Sequence, residues 1–204
     1  MKLTIKIFAT ALVLSLVSFS TIAQANVNDI LKEIKKEFAP DSRTAIFDIK
    51  AKECGNKWIL NGKVDNNILK HNILEGLNAA NVNYIDSISV LEYTQEKPWA
   101  IVKLSIASLR TGGKHAAEMA TQAIMGTPVK ILEYVGEWVR VQTPDQYISY
   151  VPSNSLHKLT QAEFDTWRKA KRYIITVYQS QLIDSPETEL TGSDLVLGNI
   201  LEYK

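Results

Sequence analysis

Four short β-like runs dominate the middle of the chain and leave little choice of fold there. Trp99 to Ser105, Thr127 to Val135, Glu137 to Gln142 and Tyr147 to Val151 are rich in branched and aromatic residues, and turn residues separate them. Val135-Gly136-Glu137-Trp138 reads as a tight hairpin turn. This is the rhythm of a small barrel of five or six strands. A long connection, Thr111 to Gly126, interrupts it and carries Gly112, Gly113, Lys114 and His115. Within it, Met119 to Met125 reads as a short helical turn, and Glu118 would be either a solvated loop residue or its cap.

The flanks differ in texture. Asn26 to Phe38 spaces Val27, Ile30, Leu31, Ile34 and Phe38 by threes and fours, which predicts an amphipathic helix with Asn28 as N-cap and Pro40 as its stop. Thr44 to Lys50 and Lys57 to Val64 alternate as strands. A second helical pattern follows Asp65, with Ile68, Leu69, Ile73, Leu74 and Leu77 on one side, and Val82 to Leu91 returns to strand. Beyond the barrel, Thr160-Gln161-Ala162-Glu163 is a capping box, opening a helix that carries Phe164, Trp167 and Ala170 and reaches about Lys171. Tyr173 to Tyr178 and Leu195 to Leu197 resume the β pattern, which amounts to half of a second barrel with open edges, expected to fray or to pair with something else. The fold class expected is α+β: a helix-strand-strand-helix-strand unit over 26–97, a small barrel over 98–159, a linker helix over 160–171 and an incomplete second barrel over 172–204.

Composition removes several functions. Lys and Arg number 23 against 22 Asp and Glu, a balance unlike the basic surplus of nucleic-acid binders. One cysteine excludes an internal disulfide framework and a Cys-rich zinc site. No metal-ligand spacing, phosphate loop or cofactor motif is present, so no cofactor is expected. Residues 1–25 have the form of a signal peptide: Lys2 and Lys6, an apolar stretch from Ile7 to Val17, and Ala23-Gln24-Ala25 as the cleavage site. The apolar stretch is short for a membrane span. An exported protein of the periplasm or cell envelope, with no stable span after cleavage, is expected.

The stretches Ser105-Ile106-Ala107-Ser108-Leu109-Arg110, His115-Ala116-Ala117-Glu118 and Thr121 through Val129 resemble a bacterial SH3 domain, in particular the first SH3 domain of Bacteroidetes NlpC-type cysteine peptidases of the dipeptidyl-peptidase VI kind. Gly136-Glu137-Trp138, Val141 to Asp145 and Tyr147 fit the same pattern. Glu163-Phe164-Asp165-x-Trp167 and Ser193-Asp194-Leu195-Val196-x-Gly198-Asn199 resemble the family's linker and second SH3 domain, so the likeness runs from about Trp99 to Leu201. The short motif Phe38-Ala39-Pro40-Asp41-x-Arg43 resembles the leading segment. Gly113 stands where proline is usual, Ala116 for serine, Gln146 for a turn glycine and Tyr150 for tryptophan.

The resemblance implies a γ-D-glutamyl-L-diamino acid endopeptidase acting on peptidoglycan stem peptides. The family's catalytic domain, with an Asp-Cys-Ser-Gly nucleophile and two histidines, is expected to be absent here. The only cysteine, Cys54, lies in Lys52-Glu53-Cys54-Gly55, outside that motif, and is expected to be structural or incidental, since a free cysteine is mostly a small buried hydrophobe. Nothing in the spacing joins it to His71, His115 or His157. The resemblance makes Glu118 the carboxylate that holds the free amine of an N-terminal L-alanine, and Tyr147 an aromatic lining the same cleft. Arg110 and His115 are expected to shape the loop by hydrogen bonding. Trp99, Trp138, Trp167 and Tyr150 would either share a binding face or serve the core. Two functions from different classes follow. One is the recognition part of a cell-wall endopeptidase, split from its catalytic domain and non-enzymatic as it stands. The other is a free-standing envelope protein that binds a peptide or a protein partner, including a peptidase regulated in trans.

Overall fold

The computed structural model describes residues 26–91, 95–183 and 191–203. The leader expected over 1–25 lies outside them. The leading unit runs α1 (Val27–Phe38), β1 (Phe47–Cys54), β2 (Lys57–Val64), α2 (Asn67–Ala79) and β3 (Tyr84–Val90). β1 and β2 form an antiparallel hairpin. β3 lies parallel to β2, a pairing that needs a crossover, and α2 supplies it. Both helices bury their apolar stripes on one side of the sheet, where Leu31 and Ile34 of α1 meet Ile73 and Leu77 of α2 over Leu60 and Val64. Each such side chain is worth about 1.5–3 kcal/mol of burial. The predicted helices are thus present, with their starts shifted. The N-cap of α1 is Asn26, whose side chain accepts from the Asn28 N–H, so Asn28 sits inside the helix and not at its cap. Asn66 caps α2 in the same way through the Leu69 N–H. β1 begins at Phe47 and not Thr44, because the Thr44 and Ala45 N–H groups donate to Asp41 O in a turn.

The barrel comprises β4 (Trp99–Val102), β5 (Ile106–Arg110), β6 (Met119–Ile124), β7 (Pro128–Val135), β8 (Trp138–Gln142), β9 (Ile148–Pro152), a three-ten turn (Ser153–Ser155) and β10 (Leu156–Leu159). These make one seven-stranded sheet in the order β10-β4-β7-β8-β9-β5-β6, against the five or six strands expected. Three corrections follow from pairing. The run Trp99 to Ser105 is not one strand: β4 stops at Val102, and the Lys103 N–H turns to Ser155 O. Met119 to Met125 is not a helical turn, since residues 119–124 pair antiparallel with β5, with Ser108 opposite Gln122. Leu156–Leu159 is a strand the sequence reading missed, and it completes the sheet beside β4. The hairpin at Gly136 is as expected. Val135 pairs with Trp138, and Gly136 takes φ +61° at the first central position, where a glycine is favoured. The interior is filled by Val102, Leu109, Ile131, Val139 and Val141.

Two junctions tie the pieces together. Ile46 and Leu91 of the leading unit share a buried cluster with Leu132 and Ile148 of the barrel. On the other side α3 (Gln161–Lys169) opens with the expected capping box, in which Thr160 and Glu163 satisfy each other's backbone N–H groups. It ends at Lys169, short of Lys171, because the Ala170 backbone turns to an extended conformation. Phe164 stacks on Trp99 at 4.1 Å between ring centroids and on Trp167 at 6.0 Å.

The last segment forms two ribbons, β11 (Arg172–Ile174) with β14 (Ile200–Glu202) and β12 (Gln179–Ile183) with β13 (Thr191–Val196). The strand expected from Tyr173 to Tyr178 is cut short, since the Ile175 N–H donates to Asn199 O. The segment pairs with the first barrel. The Ile200 N–H donates to Met125 O, and the fully buried Asn199 donates its side-chain amide to Ser105 O at 3.0 Å. Among the described residues, no helix is long and apolar enough to cross a membrane.

Candidate ligand-binding site

The loop between β5 and β6 is short of side chains and rich in internal bonds. The Thr111 N–H donates to Glu118 O, the Lys114 N–H to Gly112 O and the Ala117 N–H to Lys114 O. Arg110 closes it, with Nη1 donating to Ala117 O at 2.7 Å. Gly113 lies flat on the Trp138 side chain, which a Cβ at that position would approach to 3.3 Å. The loop is therefore pinned at both ends and in the middle. Glu118 stands at its end, exposed, and its carboxylate has no hydrogen-bond or ion-pair partner among the described residues.

Beside this loop lies an open cleft of about 660 Å³ between His115, Gly136, Trp138 and the three-ten turn with Asn154. His115 sits edge-on to the Trp138 ring, 5.0 Å between centroids. It makes this ring contact in place of the hydrogen-bonding role expected for it. Trp138 is 8% exposed, so it forms the cleft floor as part of the core. Neither Glu118 nor Tyr147 lines this cleft. The three-ten turn is a contributor that the sequence reading missed, and Pro152-Ser153-Asn154 directly after a β run is the signal that pointed to it.

Tyr147 lies at the far end of the β8–β9 hairpin, beyond Gln142 and Ile148, whereas Trp138 pairs with Pro152 at the near end. Its ring receives the Arg43 guanidinium, 5.7 Å from Cζ to centroid, and the Ile148 N–H donates to Arg43 O at 2.7 Å. Arg43 is held in turn by Asp41, which accepts from its backbone N–H and from Nε and Nη2. Those bonds lower the Asp41 carboxyl to about 2. The motif at residues 38–43 thus docks the leading unit onto the barrel at Tyr147. A second tie across this junction is Glu133, which accepts from Lys63 Nζ at 2.6 Å and Arg140 Nη1 at 3.1 Å. Burial alone would raise the Glu133 carboxyl, but these two donors hold it below its ordinary value.

The aromatic residues fall into two groups: Trp99 and Trp167 stack with Phe164, whereas Trp138 and Tyr150 both stand against Gly113, Trp138 meeting His115 and Tyr150 lying under Arg140 at 5.4 Å. Cys54 is exposed and not buried, because it is the last residue of β1, opposite Lys57 at the hairpin end. His71 sits on α2 near Glu75, His115 in the loop and His157 on β10, and no hydrogen bond joins any of them to Cys54. No group of three or more potential metal ligands is assembled among the described residues. The arrangement offers a free carboxylate and open clefts for binding.

Residues 109–156 match the family described as the bacterial dipeptidyl-peptidase SH3 domain. No curated protein matches the chain. Among solved structures, it is similar to an NlpC/P60 endopeptidase from Photobacterium damselae subsp. piscicida, at 16% identity and a TM-score of 0.45, covering 53% of this chain and 27% of that one. It is also similar to an NlpC/P60 family protein from Bacillus cereus, at 16% identity and a TM-score of 0.40, covering 52% of this chain and 47% of that one. The chain therefore spans less than half the length of either protein.

Proposed function

We propose that this chain, carrying a peptidase-associated bacterial SH3 domain, is an exported recognition module for peptidoglycan stem peptides, serving a γ-D-glutamyl-L-diamino acid endopeptidase whose catalytic groups lie elsewhere. The observation that carries this reading is the unpaired, exposed Glu118 carboxylate on a loop pinned by Arg110 and Thr111. A carboxylate carried on a fixed loop backbone selects a free ammonium group through a charge-assisted hydrogen bond, and ordering the loop beforehand reduces the cost of binding. The free amine of an N-terminal L-alanine has that chemistry. Tyr147, placed under Arg43, serves the docking of the leading unit in this reading.

Calorimetric titration of a stem tripeptide with a free L-alanyl amine, and of its N-acetylated form, tests the proposal on wild type and Glu118→Gln. Binding of the free amine alone, weakened at least tenfold in Glu118→Gln, supports it. Equal affinity for both peptides, or for both proteins, removes Glu118 from recognition. A second reading, an envelope protein binding a peptide or protein partner, is favoured by the cleft at Trp138, because Glu118 does not line it. Loss of binding in His115→Ala with full binding in Glu118→Gln would select that reading.

A further inference from the structure

Cross-strand register places three side chains in one row on the outer face of the barrel. Trp99 on β4 is opposite Lys130 on β7, and Lys130 is opposite Gln142 on β8. With strands about 4.8 Å apart, the row spans about 10 Å. It floors a cleft of about 370 Å³ walled by Pro128, Pro144 and Phe164, and Glu118 is not part of its lining. The indole is fixed twice, by the stack on Phe164 and by the bond from its Nε1 to Gln161 Oε1 at 2.7 Å.

The rim is made of amides. Gln142 Nε2 donates to Gln146 O and Gln146 Nε2 to Pro144 O, so both side chains are oriented and both Oε1 atoms remain as acceptors. Gln146 holds φ +71°, a left-handed conformation that glycine would adopt without strain, and the turn there keeps a side chain instead. Gln142, Gln146 and Lys130 also line an adjoining hollow of about 530 Å³ that reaches Asn66 of the leading unit. The two hollows form one groove across the barrel and the leading unit.

We propose that this groove binds a glycan, an oligosaccharide of acetamido sugars. β4, β7 and β8 are all interior strands, so the groove offers no free backbone edge to an extended peptide. Recognition must come from side chains: a flat aromatic and proline floor for the apolar ring faces, and amide acceptors for hydroxyl and acetamide N–H groups. Arg168 adds positive charge that suits carboxylate-bearing sugars. The span of the row fits two sugar rings, and the continuation toward Asn66 fits a longer chain.

The test is ¹⁵N–¹H NMR of the full chain titrated with tetra-N-acetylchitotetraose, and separately with a peptide-free disaccharide of N-acetylglucosamine and N-acetylmuramic acid. Expected are shifts of the Trp99 indole N–H and of the Gln142 and Gln146 amides, with the Trp138 indole and the Glu118 loop unmoved. Gln142→Ala should keep a folded spectrum and weaken binding about tenfold. The proposal is overturned if neither saccharide shifts these signals, if Gln142→Ala binds equally well, or if a stem peptide without sugar occupies the groove instead. Because the probes carry no peptide amine, this result is independent of the Glu118 titration.

Discussion

The Lys63 ammonium donates to the Glu133 carboxylate at 2.6 Å, across the junction between the leading unit and the barrel. Glu133 is mostly buried and also accepts from Arg140, whereas Lys63 is about half exposed, so solvent screening keeps the pair's contribution modest. Glu133→Gln is expected to cost about 1 kcal/mol at neutral pH. The folded carboxyl titrates below the ordinary 4.5, so its contribution is full above that value and is lost as pH falls through the lowered one. Urea unfolding of wild type and Glu133→Gln at pH 7 and pH 3 measures this. A difference that fails to shrink at pH 3 would show that Glu133 does not act through its charge.

The last segment is docked by two close contacts that small changes should break. Gly126 has φ +87°, and a Cβ there would stand 2.5 Å from both Ile200 Cβ and Ile200 O. Gly126→Ala should therefore cost more than about 1 kcal/mol and release the Ile200 N–H from Met125 O. Asn199→Ala removes the acceptor of the Val196 N–H and the donor to Ser105 O in a fully buried place, at about 1–3 kcal/mol. Hydrogen exchange reads both: protection at Val196 and Ile200 should fall while that of Val139 and Val141 stays. Unchanged protection at Ile200 would mean that the segment is held by other contacts.

Thr160→Ala breaks the capping box of α3 and should cost about 1 kcal/mol, which lowers Tm by about 2–4 °C for a chain of this size. The Glu163 carboxyl, held below its ordinary value by the Thr160 backbone and hydroxyl, should titrate higher in the variant. An NMR pH titration that finds Glu163 unmoved would show that the box is not formed in solution.

Cys54 is exposed at the end of β1, so the folded protein should react with a thiol reagent at one equivalent without denaturant. Cys54→Ser should leave Tm unchanged within about 2 °C. A thiol that reacts only after unfolding would contradict the hairpin register that puts Cys54 opposite Lys57.

Much of this fold is legible locally. The three-and-four spacing of Val27, Leu31 and Ile34 requires a helix with one buried stripe, and Gly136 between two β runs requires a tight turn. The box Thr160-x-x-Glu163 marks a helix start by its own hydrogen bonds. Met119 to Ile124 was misread because its residues carry no decisive period, and only pairing with β5 makes them a strand. The exposure of Cys54 was not legible, because burial is a property of the neighbours a register supplies, not of the thiol.

The site divides in the same way. The sequence alone determined that Glu118 follows a glycine-containing loop, and that the chain has one cysteine, no metal-ligand spacing and an SH3-like order of strands. Tertiary structure decided that Tyr147 meets Arg43, that Lys63 reaches Glu133, and that Trp99, Lys130 and Gln142 stand in one row. Turns, caps and helical stripes are contacts between residues a few positions apart, so the sequence encodes them directly. Juxtapositions across a dozen or more positions, 70 for Lys63 and Glu133, depend on strand register and on how two units dock, and these are set by the whole buried surface together.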